Sequence, residues 1–338
     1  MVTGRRMVTV FSLGGTIAST GTPGGEGGGV APRLGAKELL DAVPGLDGAV
    51  PGLDGSGGLE AVAFRQCPSG DLTFEDLIAL AAEINARFEA GAAGVVVVQG
   101  TDTIEETSFV LDLLIDAPNP VVVTGAMRNP TLASPDGPAN LRAAVQVAAS
   151  PEARGLGCLV VLNDEVHAAR FVSKTHTSSP AAFRSVAAGP VGRLVEGRLR
   201  IAVRTTPLAT VPPPTGPVPP VALLTMGFGD DGRLIEQVAA LGYAGVVVEA
   251  FGGGHVPART VAALERLAAA VPVVLASRTG GGDMLRTTYG FPGSERDLIA
   301  RGLIPSGFLD GPKARVLLSL LLGNGAGTEQ VRTAFAGI

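Results

Sequence analysis

Histidine, lysine and cysteine are all scarce in this chain of 338 residues. The three histidines, His167, His176 and His255, form no His-Glu-x-x-His helix, and Cys67 and Cys158 have no metal-like spacing. Metal-dependent hydrolysis is therefore set aside, and no metal or other cofactor is expected. Two lone cysteines supply no disulfide framework; both are expected to be buried thiols in a reducing, cytoplasmic setting. No apolar run reaches the ~20 residues that a membrane helix needs, and Gly14-Gly15-Thr16 interrupts any signal-peptide core near the start. Basic residues form no stripe, and a net charge of -5 argues against nucleic acid or an anionic membrane surface as partner. Neither a Gly-x-Ser-x-Gly elbow nor a Walker loop is present.

What is present is an alternation of short β-branched runs and helical patterns. A hydrophobic fraction of 46% against 17% charge is ample for sizeable cores, and the length suggests about two domains. Strands are expected at residues 7–13, 59–64, 94–98, 120–124 and 157–162, and helices at 73–90, 104–116 and 138–149. In the first of these helices Leu77, Ala81, Ile84 and Phe88 recur at helical spacing behind a Thr73 cap. Residues 186–203 read as a hairpin turning at Glu196-Gly197. Seven prolines between 206 and 220 exclude helix and central strand and mark an extended linker. A second α/β unit follows, with strands at 221–225, 245–249 and 272–276 and helices near 232–241, 257–270, 311–322 and 327–336. The expected fold class is α/β: two doubly wound domains with mainly parallel sheets, a larger one over 1–205 and a smaller one over 221–338. The tandem copy Ala42–Gly48 and Ala49–Gly55 is too short for a solenoid and reads as a loop expansion.

The chemistry concentrates where strands end. Val95–Val98 run into Gln99-Gly100-Thr101-Asp102-Thr103, and Val8–Phe11 into Ser12-Leu13-Gly14-Gly15-Thr16. The carboxyl edge of a parallel sheet is where ligands bind. Gly14-Gly15 lets backbone approach a ligand closely, and the following N–H groups can hold an oxyanion. Thr16 is either a nucleophile or a helix cap, and local sequence leaves both open. Thr103 and Glu106 have the spacing of a capping box, which leaves Asp102 free to meet a substrate ammonium group. A threonine nucleophile needs a base. Burial disfavours a lysine's charged form, and of Lys37, Lys174 and Lys313 it is Lys174 that has polar company just after a strand. Residues 19–33, rich in Gly and Pro and directly after Thr16, are placed to form a lid.

Gly14-Gly15-Thr16-Ile17-Ala18, Gly100-Thr101-Asp102-Thr103 with Glu105-Glu106-Thr107, Thr124-Gly125-Ala126-Met127-Arg128, Ser134-x-Asp136-Gly137-x-x-Asn140-Leu141 and Asn163-Asp164-Glu165 through Lys174-Thr175 together resemble the bacterial-type L-asparaginase/glutaminase family. Ser277-Arg278-Thr279-Gly280 extends the likeness into the second domain. The resemblance implies hydrolysis of L-asparagine, with glutamine or D-asparagine as side substrates, without a cofactor. It implies Thr16 as the acylated nucleophile and Thr101, Asp102 and Lys174 as a second Thr-Asp-Lys constellation. Gly15, Ser69, Gly70, Thr101, Asp102 and Ala126 would bind substrate: Ser69 the α-carboxylate, Asp102 the α-ammonium, Ala126 the side-chain amide through its backbone. A homodimer or homotetramer is implied as well. The chain departs from the family pattern at the lid, which lacks the usual tyrosine; of the two tyrosines present, Tyr289 is the candidate substitute. Gly70 stands where many members carry Gln or Glu, Gly281 where many carry Asn, and Gln99 where His is frequent.

The residues also admit two rival readings. Gly227-x-Gly229-x-x-Gly232 follows a strand, precedes a helix and is followed by Glu249 at the next strand end, which meets the conditions for an NAD-binding oxidoreductase. A non-catalytic amino-acid sensor would use Asp102 and Ser69 without turnover.

Overall fold

The computed structural model describes residues 7–15, 17, 19–21, 30–32, 35–46 and 58–338. The chain divides into two compact units, Met1–Thr210 and Val211–Ile338. In the first unit the elements are β1 (Met7–Ser12), β2 (Ser19–Gly21), β3 (Val30–Pro32), α1 (Ala36–Asp41), β4 (Leu59–Ala63), α2 (Phe74–Glu89), β5 (Ala92–Val98), α3 (Ile104–Leu114), β6 (Val121–Thr124), α4 (Gly137–Ala149), β7 (Cys158–Leu162), β8 (Glu165–Ala168), β9 (Ser173–Lys174), β10 (Phe183–Arg184), β11 (Gly192–Val195) and β12 (Arg198–Ile201).

Eight of these strands form one sheet in the order β12-β11-β8-β7-β6-β5-β1-β4. β4, β1, β5, β6 and β7 run parallel, with Phe11 opposite Val97 and Val97 opposite Val123. Alternate side chains of a strand face opposite ways. Val8, Val10, Val96, Val98 and Val122 pack with Leu39 of α1 and with Leu141, Val145 and Ala148 of α4 in one core. α2 is fixed at its start by a reciprocal cap: Thr73 Oγ1 accepts from the Asp76 N–H, and the Asp76 carboxylate accepts from the Thr73 N–H.

The last three strands of the sheet are antiparallel, an extension that the βαβ reading did not foresee beyond its single hairpin. Its cause is a second two-residue turn. Asn163 and Asp164 both have positive φ (52° and 58°), and Leu162 pairs with Glu165 across them. Glu196 and Gly197 (51° and 72°) repeat the device between β11 and β12. Paired positive φ values match the twist of a tight hairpin, and Asn-Asp tolerates them at modest cost. A buried ion pair holds the strand that leads into this extension. Asp112 of α3 accepts from the Cys158 N–H at 2.7 Å and faces Arg170 at 3.5 Å. Burial pushes the Asp112 carboxyl above its usual range against the pull of Arg170.

The second unit contains β13 (Val221–Thr225), α5 (Arg233–Val238), β14 (Gly245–Ala250), α6 (Val261–Ala270), β15 (Val273–Ser277), α7 (Glu295–Ala300), β16 (Ile304–Pro305), α8 (Gly311–Gly323) and α9 (Thr328–Ala336). Its sheet is wholly parallel in the order β13-β14-β15-β16. Met226, Val246, Val248, Leu264, Leu275 and Leu298 centre its core. Residues 203–220 carry no helix or strand. Among the described residues, no helix is long and apolar enough to cross a membrane.

Candidate active site

The strand order of the first unit locates its crevice. From β1 the chain steps outward to β4, then returns to β5 and proceeds the other way through β6 and β7. The reversal lies between β1 and β5, and ligands bind at the carboxyl ends of strands flanking such a point. Those ends are Leu13-Gly14-Gly15 and Gln99-Gly100-Thr101.

The two loops meet closely. Gly15 has φ +85°, and a Cβ there would stand 2.0 Å from the Gly100 amide nitrogen. A Cβ on Gly100 would in turn stand 2.9 Å from Ser69 Oγ. Only glycine allows these approaches. Ser69 opens a short helical turn after β4 and is 4% exposed, while the neighbouring Gly70 is exposed with open space around it. On the other side of Thr101, a Cβ on Gly125 would lie 3.2 Å from Thr101 Cγ2, which brings the Thr124-Gly125-Ala126 loop to the same place. That loop is fastened from α4. The Asp136 carboxylate accepts from the N–H groups of Met127 and Arg128, and Asn140 Nδ2 donates to the Gly125 carbonyl. Asn140 Oδ1 also accepts from the Asn163 N–H. The Ser134–Leu141 motif thus shapes the loop under Ala126, which is itself buried.

Lys174 reaches this cluster from β9. Its Nζ donates to Thr101 Oγ1 at 2.9 Å and to Asp102 Oδ1 at 2.5 Å. The Lys174 side chain is 15% exposed and that of Asp102 81%, so the pair runs from the interior to the rim. Glu105 holds the lysine's backbone, its Oε2 accepting from the Lys174 N–H at 3.0 Å. Among the described residues β9 pairs with β10 alone, Lys174 opposite Phe183. No local pattern marks Glu105 for this contact, because acidic residues at a helix start read as ordinary dipole matching.

Of the residues expected in the site, the structure brings together Gly15, Ser69, Gly70, Thr101, Asp102 and Lys174, with the Ala126 loop against Thr101. Thr16 lies outside the described residues, as do residues 22–29 and 33 of the lid and residues 47–55 of the tandem copy. Tyr289 belongs to the second unit, where its ring stands edge-on to His255 at 4.8 Å and its N–H donates to the buried Glu295. Two local expectations are corrected. Thr103 and Glu106 form no capping box: the Thr103 hydroxyl makes no cap bond and donates to the Ser69 carbonyl at 3.0 Å instead. Cys67 is only partly buried; burial, with the nearby Asp76 and Asp71 carboxylates, holds its thiol above the usual range.

The Gly227–Gly232 turn also fails as a dinucleotide site. The second sheet is ordered sequentially, so it has no point where strand order reverses. The helix after the turn is only six residues long, which leaves little dipole for a pyrophosphate. Glu249 is engaged by Thr225 Oγ1 at 2.5 Å.

Comparison with known proteins agrees with this geometry. Residues 7–207 match the family model described as asparaginase, N-terminal, and residues 220–335 that of the glutaminase/asparaginase C-terminal domain. The chain is 37% identical over 336 residues to a probable L-asparaginase of Deinococcus radiodurans, covering 97% of this chain and 96% of that protein. It is 33% identical to an L-asparaginase of Bacillus licheniformis, covering 94% and 96%. The crystal structure of a probable cytoplasmic L-asparaginase from Campylobacter jejuni superposes with a TM-score of 0.87 at 29% identity, over 98% of this chain and 100% of that one. Fold and relatives together define a two-domain hydrolase acting on amides, which sets aside the oxidoreductase and sensor readings. The chain belongs to the asparaginase family.

Proposed function

We propose that the protein hydrolyses L-asparagine to L-aspartate and ammonia through an acyl-enzyme on Thr16. The observation that carries this reading is the contact of Lys174 Nζ with both Thr101 Oγ1 and Asp102 Oδ1, beside the Gly15–Gly100 crossing. Ser69 and Asp102 receive the α-carboxylate and α-ammonium of the substrate, and the Ala126 backbone receives its amide. Thr16 Oγ attacks the carboxamide carbon and gives up its proton. N–H groups of the strand-end turns stabilise the tetrahedral oxyanion. The C–N bond breaks, and the nitrogen leaves as ammonia with the added proton. A water held by Thr101 and Lys174 then attacks the acyl ester, Lys174 passing protons, and Thr16 is regenerated. Glutamine and D-asparagine are secondary substrates, the working form is a homodimer or homotetramer, and the location is cytoplasmic.

The test is ammonia release over a panel of L-asparagine, L-glutamine and D-asparagine. Fastest release from L-asparagine is expected. Release from none of the three, by purified protein that binds L-aspartate, would refute the reading.

A further inference from the structure

The Thr103 hydroxyl stands at the N-cap of α3, where threonines ordinarily bond the helix's first free N–H groups. Here it makes no such bond. It crosses to another loop and donates to the Ser69 carbonyl at 3.0 Å. It is held from behind by Gln99, which is fully buried and whose Nε2 donates to Thr103 Oγ1 at 3.3 Å and to the Gly100 carbonyl at 3.2 Å. The same two loops touch where Gly100 meets Ser69. Two short helical turns, Ser69–Asp71 and Thr101–Thr103, are therefore fastened together by one hydroxyl. One turn carries Ser69 and the other carries Asp102, so that hydroxyl fixes the span between the two groups assigned to the opposite charges of an amino acid's α-carbon.

We propose that Thr103, braced by Gln99, is a positioning residue that sets the Ser69–Asp102 span and so makes the site selective for amides that carry both a free α-carboxylate and a free α-ammonium. This rests on the amidohydrolase reading above. Thr103 touches no reacting atom; it acts by holding Ser69. Loss of its hydroxyl lets the Ser69 turn drift, which weakens the grip on the α-carboxylate and leaves the bond-breaking groups in place.

The test compares wild type, Thr103→Val and Thr103→Ser. Kinetics use L-asparagine and 3-aminopropanamide, which lacks the α-carboxylate, and calorimetry measures L-aspartate binding without turnover. Thr103→Val should raise KM for L-asparagine and weaken L-aspartate binding by about fivefold to tenfold, the loss expected for one hydrogen bond. Its kcat should stay within about twofold, as for loss of uniform binding. Thr103→Ser should restore both constants. Turnover of 3-aminopropanamide should not change. Thr103→Ala removes the same hydroxyl without a methyl facing Ser69 and repeats the test if the valine variant does not fold. An unchanged KM, equal losses on both amides, or failure of serine to rescue would overturn the proposal. Wild type that binds L-aspartate but releases no ammonia would sink the amidohydrolase reading and leave the binding comparison to decide the role of Thr103. Wild type that does not bind L-aspartate would overturn the proposal itself.

Discussion

The parallel strands of the two sheets end in turns that look alike in sequence. Gly14-Gly15 follows β1 and Gly227-x-Gly229-x-x-Gly232 follows β13, each before polar residues. Strand order separates them. In the first unit β1 and β5 are neighbours whose onward connections leave in opposite directions, so their carboxyl ends open a crevice. In the second unit the strands follow one another in sequence order and no such crevice is defined. The first turn is also crowded, Gly15 lying against Gly100, whereas a Cβ on Gly229 would meet nothing within 4 Å. A glycine motif therefore reports a tight turn; topology decides whether the turn faces a ligand.

The largest test of this contrast is chemical. Thr16→Ala should lower ammonia release by about a thousandfold or more while L-aspartate still binds, since a lost nucleophile is seldom replaced. Ordinary turnover by this variant would remove Thr16 from the mechanism. The low-exposure lysines offer the next comparison. Lys174 donates to Thr101 and Asp102 in the first unit, and Lys313, 1% exposed, bonds Asp310 at the start of α8 in the second. Lys174→Met should cut kcat by about a hundredfold to ten-thousandfold, the range for a lost proton carrier. Lys313→Met should leave kcat of the folded enzyme near normal and lower stability by about 3 kcal/mol, because Asp310 loses its buried partner. Urea melts beside initial rates check both. The contrast breaks if Lys313→Met loses kcat at full stability.

A smaller effect separates the glycines. Alanine at Gly15 would combine a disfavoured φ with a backbone collision, and should cost on the order of 3 kcal/mol together with most of the activity. Gly229 has almost the same φ, +86°, but open space, so Gly229→Ala should cost only about 1–2 kcal/mol and keep the turnover number. Thermal melts and ammonia assays on the pair would expose the difference; equal losses would mean that backbone strain alone governs both sites.

Much of the fold was legible because its signals are local. Val95–Val98 read as a buried strand and lie at 0% exposure, and the Thr73 cap starts α2 where its spacing placed it. The meeting of Thr101, Asp102 and Lys174 was legible only through resemblance, since Lys174 is 72 residues from Asp102 and no periodicity links them. Short elements such as α1, β9, α7 and β16 lie outside the expected ranges, and two further features show why local rules fall short. Thr103 and Glu106 have capping-box spacing, but a distant carbonyl, that of Ser69, captured the hydroxyl. Asn163-Asp164 is both a two-residue hairpin signal and part of the family motif, and the structure uses it as the turn into β8. In both cases tertiary partners overrode or reinterpreted a short pattern.

The finest test concerns Gly70, which follows Ser69 in the turn that Thr103 fastens. It is exposed, no atom lies within 4 Å of a Cβ built on it, and its φ is not positive, so a side chain fits without strain. Gly70→Gln should therefore shift the melting temperature by no more than about 2 °C, as for an exposed position free of strain. An amide side chain beside Ser69 adds a donor and an acceptor at the mouth of the site, and one extra hydrogen bond is worth about 1 kcal/mol. The ratio of kcat/KM for L-asparagine over L-glutamine should move by about twofold to fivefold while kcat for L-asparagine holds. A large loss of stability would show that the turn is more tightly packed than its surroundings imply. An unmoved ratio with unchanged stability would place position 70 outside the reach of the substrate, and would leave selection to Ser69 and Asp102 at the strand-reversal point alone.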